Sequence, residues 1–403
     1  MIAHVIAIRN LIKNRYRTVV SLGMIIGALI AITIFRGYVL RTLEIVQTTI
    51  VNGQFGHLQV AKELYWTQEY KNKKETLLTD YLPIVEEISA IPQVRAVSPR
   101  SKFYGLLSTE KLSDSAMIIG IDPKQEPDFE VGLALIEGHK FDVSNRGIMI
   151  GTSLARRLRV KVNDDITLVA STLDLVINAM DFRVAGVFAT GTEEFDSVAA
   201  FIDIKEAQKV MNTSSVDVLK ISLKSAKDVD AVKGAIESKL SGKNVLVKTW
   251  YDISTLFRKV ESFYNTQTGL MFGILIFIVL LGISNTVSMS LNERIGEIGT
   301  LRALGQSQMS LLKQFMLESF YLCTMAIVIG VALAKLLITM INSAKVTADI
   351  PGASLPILIE VGFYWDVILW VSLSLCLIVN IFTAILILKY VRIRIVEALR
   401  HNI

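Results

Sequence analysis

The stretch NERIGEIGTLRALG, residues 292–305, is short and charged although it lies between two long apolar segments. Its composition favours a helix that ends at Gly305. Glu293, Glu297 and Leu301 follow one another at four-residue spacing, so they would share one face of that helix. A helix on a membrane surface beneath a docked partner would use these polar residues, and a solvated loop helix would also tolerate them. The residues alone leave both interpretations open.

The apolar residues of the chain are concentrated in four runs. Hydrophobic residues make up 52% of the 403 residues and charged residues 20%, so the chain is more apolar than an ordinary soluble protein. A helix of about 20 residues crosses a hydrocarbon layer of about 30 Å. The sequence therefore predicts four transmembrane helices, over residues 19–40, 266–291, 319–340 and 367–388.

Two of these runs contain one ionisable residue each, Arg36 and Lys335. Both lie near one end of their run, where a long side chain can reach the interface, so anchoring there is favoured over an ion path. A removable signal peptide is the other interpretation of the first run. Its apolar part is too long for that, and IFRGYVL (34–40) offers no small-residue cleavage site.

Basic residues beside the predicted helices indicate the orientation. They are Arg9, Lys13, Arg15 and Arg17 before the first helix, Arg294, Arg302 and Lys313 after the second, and Lys389, Arg392, Arg394 and Arg400 after the fourth. The positive-inside rule places both termini, residues 292–318 and residues 389–403 in the cytoplasm, and residues 41–265 and 341–366 outside. Because the net charge of +5 reflects these segments, it is poor evidence for nucleic-acid binding.

The external segment is predicted to be a mixed α/β (α+β) domain. Both cysteines, Cys323 and Cys376, lie in predicted transmembrane helices, so the domain has no disulfide and depends on its core. Strand-like segments lie at 57–61, 115–121, 165–171, 181–189, 199–204, 218–223 and 245–250. Helical segments lie at 81–90, 151–160, 204–212 and 226–240. We expect a compact domain that could contain two subdomains.

Helical spacing of apolar residues also flanks this domain. It links Leu43, Val46 and Ile50 after the first run, and Ile253, Phe257, Val260 and Tyr264 before the second. These segments are predicted either as stalks continuous with the membrane helices or as ordinary amphipathic packing helices.

Motifs for catalysis are absent from the sequence. Nothing matches the nucleotide-binding loop G-x-x-x-x-G-K-[ST], and the four histidines have no metal-ligand spacing. GTSLA (151–155) lacks the second glycine of a nucleophile elbow, and DVSNRG (142–147) lacks the ligands of a calcium loop. No catalytic or metal-binding residue is predicted.

Several stretches carry a family resemblance. Residues 284–319, SNTVSMSLNERIGEIGTLRALGQSQMSLLKQFMLES, resemble the signature of FtsX-like ABC transporter permeases. AIRNLIKNRYRTVVSLGMIIG (7–27) resembles the amphipathic N-terminal helix, predicted over residues 1–18, and the first membrane helix of that family. GIMIGTSLARRLRVKVNDDITL (147–168) and the stretch from 182 to 211 resemble its extracytoplasmic core domain. GQFGHLQV (53–60) is most similar to the MacB and lipoprotein-releasing LolC/LolE types.

This resemblance implies a non-catalytic permease subunit in the bacterial inner membrane. Residues 292–305 would be the coupling helix that docks on a separate ABC ATPase dimer, with these docking residues: Glu293, Arg294, Glu297, Leu301 and Arg302. ATP and Mg would bind to that ATPase, and this chain would bind no cofactor. A second copy or a paralogue would complete the permease pair, and a periplasmic chaperone or adaptor could assist.

The function that the resemblance implies is mechanotransmission, with lipoprotein release from the inner membrane as the favoured role. Alternatives are an FtsX-like regulator of a cell-wall hydrolase, or efflux of a small molecule or peptide with a periplasmic adaptor. A lipoprotein or other amphiphilic cargo would enter an apolar gap near the stalk bases, lined by the following residues: Phe35, Tyr38, Tyr264, Met271 and Phe272. Anchoring in the aromatic belt of the membrane interface is the alternative role for these side chains.

Overall fold

The computed structural model describes residues 9–13, 15–67, 73–126, 133–139, 146–293, 296, 300, 305–348, 354 and 356–391. The chain divides into two compact units. The helical unit comprises Met1–Leu43, Val260–Val346 and Ile359–Ile403. The sheet unit comprises Glu44–Lys259 and Thr347–Leu358.

Helices of very different length occur in the two units. In chain order they are α1 Arg15–Thr49, α2 Glu63–Thr67, α3 Tyr81–Ser89, α4 Thr152–Leu158, α5 Glu193–Asp196, α6 Ile204–Met211, α7 Val229–Lys239, α8 Trp250–Ile253, α9 Thr255–Glu293, α10 Gln308–Ser343 and α11 Trp365–Val391. Among the described residues, α1, α9, α10 and α11 are long and apolar enough to cross a membrane. The prediction of four transmembrane helices is therefore confirmed.

All four long helices contribute to the core of the helical unit. Ile25 of α1, Val279 of α9, Cys323 of α10 and Val379 of α11 lie in one buried cluster. Small residues allow close packing in this unit, since a methyl group added at Gly330 would lie 2.8 Å from Leu29 Cδ2. Close contact of this kind stabilises helices in a membrane, where lipid is as apolar as the side chains.

Ten strands of the described residues form one sheet. They are β1 Leu58–Lys62, β2 Val94–Ser108, β3 Ser113–Ile121, β4 Ala134–Gly138, β5 Gly147–Gly151, β6 Asp165–Ser171, β7 Ile177–Ala189, β8 Ala199–Asp203, β9 Val218–Leu223 and β10 Val245–Thr249. Their order is β10-β1-β9-β2-β3-β8-β5-β7-β4, and β6 pairs with both β2 and β7. A separate two-stranded sheet joins β11 Thr347–Ala348 to β12 Ile357–Leu358.

The long strand β2 connects the two halves of the sheet. Its first half pairs with β9 and its second half with β3 and β6, all antiparallel. One apolar core lies beside β1, β9 and β10, where α3 and α7 pack, and another beside β5 to β8, where α4 and α6 pack. Residues on the opposite face of β3, β5 and β8 are buried as well.

Most predicted strands lie where the sequence placed them, and β6 and β9 have the predicted bounds. The sequence did not predict β2, β4 or β5. The predicted unit of β9, α7 and β10 is present, but β1 lies between the two strands. Phe257, Val260 and Tyr264 of the second predicted stalk lie in α9, which is continuous with the membrane helix. Ile253 does not, because α8 ends there, Ser254 is not helical, and α9 begins at Thr255.

Candidate functional site

Five aromatic or apolar residues were predicted to contact cargo, and all are half-buried in α1 and α9. The side chains of Tyr38 and Tyr264 interact through their hydroxyl groups. Phe272 packs against a buried cluster that includes Leu29 and Ile32. The structure thus brings the two tyrosines together, with Phe35 and Met271 on the same two helices.

Polar contacts fix α1 close to these tyrosines. Arg36 donates a hydrogen bond of 2.8 Å to Asn265 Oδ1 of α9, and Arg41 Nε donates one of 2.8 Å to Glu360 Oε2. A methyl group added at Gly37 would collide with the carbonyl oxygen of Gly362. This part of α1 is therefore held against both α9 and the segment before α11.

The predicted coupling segment, residues 292–305, begins with the last two residues of α9, Asn292 and Glu293. Glu293 forms an ion pair with Arg17 of α1, and 52% of its side chain remains exposed, so it can still contact a partner. Gly305 has a positive φ of 93°, and Ser307 accepts a hydrogen bond from Ser310 N at the start of α10. The other predicted docking residues lie outside the described residues: Arg294, Glu297, Leu301 and Arg302.

A cavity of about 90 Å³ lies between the four long helices in the same part of the helical unit. Its polar lining is Asn10, Arg17, Thr18, Ser21, Thr286, Ser290, Glu318, Ser319 and Thr383. Two hydroxyl pairs cross between helices, Ser21 with Thr286 at 3.2 Å and Ser319 with Thr383 at 3.3 Å. Most of the cavity surface is nevertheless apolar, and the polar side chains occupy only part of it.

Three charged side chains are buried together in the sheet unit, and sequence reasoning missed them. They are Arg100 of β2, Glu126, and Lys220 of β9, which are 5%, 5% and 2% exposed. Arg100 Nε donates to Glu126 Oε1 at 2.7 Å, and Lys220 Nζ donates to Glu126 Oε2 at 2.9 Å. Ser98 Oγ also donates to Glu126 Oε1, at 2.8 Å.

The same two cations bind the π-helical segment Ile50–Phe55 that follows α1. Arg100 donates to the carbonyl oxygens of Gly53 at 3.1 Å and Gln54 at 2.6 Å, and Lys220 donates to that of Asn52 at 2.7 Å. Burial raises the pKa of Glu126, but the two cations and their hydrogen bonds outweigh it and lower that pKa to about 2. Glu126 is therefore ionised at neutral pH.

A second buried carboxylate, Asp196, binds part of the segment between α10 and α11. It accepts hydrogen bonds from Thr190 N at 2.9 Å, from Thr190 Oγ1 at 2.7 Å, and from Ser354 Oγ. Burial raises the pKa of Asp196, and these hydrogen bonds offset the rise in part. Ser354 thereby attaches its segment to the core of the sheet unit.

The hairpin of β6 and β7 has an exposed apolar tip. Leu175, Val176 and Ile177 are 86%, 61% and 77% exposed. Thr172 shapes the turn, since its N–H donates to Val176 O at 2.8 Å and its hydroxyl accepts from Val176 N at 3.2 Å. A fixed turn that presents three apolar side chains to solvent is suited to binding another protein.

No group of three or more His, Cys, Asp or Glu side chains in the described part of the chain is arranged to hold a metal ion. The features described above are instead contacts between helices, between a helix end and strands, and at an exposed hairpin.

Two family models match the sequence. The MacB-like periplasmic core domain matches residues 18–239, and the FtsX-like permease C-terminal domain matches residues 269–395. Together they span most of both units, and the described residues outside them are 9–13, 15–17 and 240–268.

Individual relatives are distant. The lipoprotein-releasing system transmembrane protein LolC of Xylella fastidiosa is 25% identical over 235 residues, which are 56% of each chain. The macrolide export ATP-binding/permease protein MacB of Acinetobacter baylyi is 23% identical over 271 residues, 64% of this chain and 40% of that one. The chain thus spans about half the length of these relatives. The solved periplasmic region of MacB from Actinobacillus actinomycetemcomitans is 16% identical, with a TM-score of 0.38, over 53% of this chain and 98% of that one.

Proposed function

The chain belongs to the FtsX-like ABC transporter permeases with a MacB-like periplasmic core domain, and from this premise we propose that it transmits the ATP-driven motion of a separate ATPase to that domain. The observation that carries the proposal is the pair of family matches, to residues 18–239 and 269–395. Two helices provide a route for such motion, because the division between the units falls inside α1 and inside α9.

The proposed complex has two permease chains and an ABC ATPase dimer, which binds ATP and Mg. Residues 292–305 dock on the ATPase, so both termini lie in the cytoplasm and the sheet unit lies in the periplasm. The exposed side chains of α9 support permease pairing. Leu270, Ile274, Phe277 and Leu281 are all more than half exposed and follow the alternating four- and three-residue spacing of a helix-pairing seam.

We propose lipoprotein release from the inner membrane as the activity, since LolC proteins are among the curated relatives. The acyl chains would lie against Phe272 and its apolar cluster, and the Tyr38–Tyr264 pair would contact the polar part of the lipid. Phe35 and Met271 would extend the same surface along α1 and α9.

Efflux with a periplasmic adaptor is the second candidate, and the MacB relative and the hairpin tip favour it. An adaptor or chaperone would bind Leu175, Val176 and Ile177. Photo-crosslinking distinguishes the two candidates: a crosslinker at Phe272 captures an acylated lipoprotein if release is the function, and the matched position Phe277 on the exposed face does not. Capture at neither position, with an adaptor bound at the hairpin tip, would favour efflux.

Docking is tested by co-purifying the full chain with its candidate ABC ATPase. Glu297→Lys and Leu301→Asp should reduce the bound ATPase at least tenfold and abolish the Mg-ATP hydrolysis that depends on the complex. Glu237→Lys, the same charge reversal on an exposed position of α7, should change neither. If both coupling-segment variants retain the ATPase and its activity, the proposed transmission is wrong.

A further inference from the structure

The buried group formed by Arg100, Glu126 and Lys220 is named here the helix-end clamp. All three side chains lie in the sheet unit, as do the carbonyl groups of residues 52–54 that they bind. Carbonyl groups at the C-terminal end of a helix lack partners within the helix and carry partial negative charge. Two cations held in place by one carboxylate therefore match the chemistry of this helix end.

The position of the turn that follows the helix end is also fixed sterically. Gly56 follows the π-helical segment with a positive φ of 69°, and a methyl group added there would lie 2.7 Å from Lys220 Cγ and 2.8 Å from Ile221 O. The chain then passes directly into β1, since His57 N donates to Ile221 O at 2.8 Å. Lys220 thus contacts the end of the helix and the turn that follows it.

A buried ionic group is not the arrangement that contributes the most free energy to holding a helix against a sheet. Desolvation of three charges offsets most of their attraction, and well-packed apolar side chains often stabilise a fold as well. The directional hydrogen bonds of Arg100 and Lys220 fix the position of the carbonyl groups of residues 52–54. Apolar contacts alone would let the helix end shift along the sheet. What the clamp adds is a fixed orientation.

We propose that the helix-end clamp is the joint through which movement of α1 is passed to the sheet, with Arg100, Glu126 and Lys220 as positioning residues. This inference rests on the proposed function, because it assumes that α1 moves during the ATPase cycle. A force along α1 arrives at the carbonyl groups of residues 52–54. Arg100 and Lys220 pass it to β2 and β9, which are paired with each other in the sheet.

The test uses the full chain with its ATPase in proteoliposomes that contain a fluorescent triacylated lipopeptide, with albumin outside as acceptor. Arg100→Met and Lys220→Met keep the side-chain length but remove the charge. Each should lower lipopeptide release per ATP hydrolysed at least tenfold, while basal ATPase activity stays within about twofold of wild type. Arg157→Met, which breaks an exposed ion pair with Asp114, is the matched control and should match wild type in both measurements.

Wild-type release per ATP in both clamp variants would overturn the proposal. If the methionine variants do not fold, Ser98→Ala removes one hydrogen bond to Glu126 and should give a smaller loss of coupling, of about threefold. No loss in that variant would likewise overturn the proposal.

A spin-label pair separates failure of the clamp from failure of the proposed function. Labels at Thr48 and Glu110, both exposed and both in the sheet unit, should give one narrow distance distribution in wild type and a broad one in Arg100→Met. If wild type releases no lipopeptide, the proposed function fails, and the label distances still decide whether the clamp fixes the helix end. An unchanged narrow distribution in Arg100→Met would exclude that role.

Discussion

The sheet unit holds the end of α1 and the start of α9 in different ways. At the end of α1, buried cations bind three carbonyl groups. At the start of α9, the rings of Trp250 and Tyr251 of α8 pack edge-to-face against Phe257, with ring centroids 4.9 and 6.2 Å apart. Thr249, directly before α8, and Asp252 within α8 form an exposed capping box, in which Thr249 Oγ1 accepts from Asp252 N at 3.1 Å.

This difference shows how one unit can be connected to two helices, one through a stiff contact and one through a more tolerant contact. Hydrogen bonds donated by a guanidinium group have a fixed direction. The Arg100 side chain therefore holds the end of α1 in one orientation. Aromatic contacts of about 5 to 6 Å tolerate several ring arrangements, and an exposed cap contributes little. The clamp is therefore expected to be the stiffer connection and the start of α9 the more tolerant one.

Of the variants considered, Glu126→Gln should lower the free energy of unfolding the most. It leaves two buried cations without a counter-charge, which costs about 3–5 kcal/mol of unfolding free energy. Urea unfolding of the full chain in detergent measures the loss. Asp165→Asn, which removes an exposed partner of Arg183, is the control and should cost less than about 1 kcal/mol. If both variants lost the same small amount of unfolding free energy, the proposed stiffness of the clamp would be contradicted.

The second-largest effect is expected from low pH, which should reduce the stability that Glu126 contributes to the clamp. The pKa of Glu126 is about 2 in the fold and 4.5 as the ordinary value, so its contribution is complete above pH 4.5 and is lost as the pH falls through about 2. The loss amounts to about 3 kcal/mol relative to neutral pH.

Burial raises the pKa of Asp196 and Asp217, so these groups change stability in the opposite direction. The difference between wild type and Glu126→Gln isolates the clamp from them. It should shrink between pH 4.5 and 2 when unfolding is followed across that range. A difference that stays constant with pH would show that Glu126 is not the titrating group.

Thr249→Ala tests the tolerant connection. It removes the capping box beside α8, and loss of a cap costs about 1 kcal/mol. Thermal unfolding should therefore shift slightly, with lipopeptide release per ATP unchanged. If release fell as far as in Arg100→Met, the two connections would not differ in stiffness.

The smallest effect is expected at the hairpin tip, which neither connection involves. Leu175 has a positive φ of 60°, and Asn adopts this conformation readily. Leu175→Asn should therefore change the unfolding free energy by less than about 0.5 kcal/mol, while capture of a periplasmic partner falls. Leu112→Asn, at another exposed leucine of the sheet unit, is the control for capture and should leave it unchanged.

The transmembrane helices were predictable because a hydrocarbon layer requires about 20 apolar residues in a row. Strand β2 was not, since Arg95, Pro99, Arg100 and Lys102 interrupt the alternation that indicates a half-buried strand. In the structure it lies in the middle of the sheet, between β9 and β3.

The helix-end clamp was equally hidden. Alternation along β9 places Lys220 on the face opposite Leu219, Ile221 and Leu223, which is typical of a lysine in solvent. The structure buries it because Glu126, 94 positions earlier in the chain, lies beside it. Pairs so distant in sequence leave no local pattern. The docking role of residues 292–305 remains a prediction, since the described part of that segment is mainly its two ends.

The place of β1 in the sheet has a consequence for biosynthesis. Among the strands of the described residues, Leu58–Lys62 pair with β9 and β10, residues 218–223 and 245–249, and with none that is synthesised before β9. At 5–20 residues per second, β10 is made roughly 10 to 40 s after β1. During that time β1 offers unpaired edges on which newly made chains can aggregate. We expect nascent chains that stop before residue 218 to bind chaperones and to resist folding, however stable the finished sheet is.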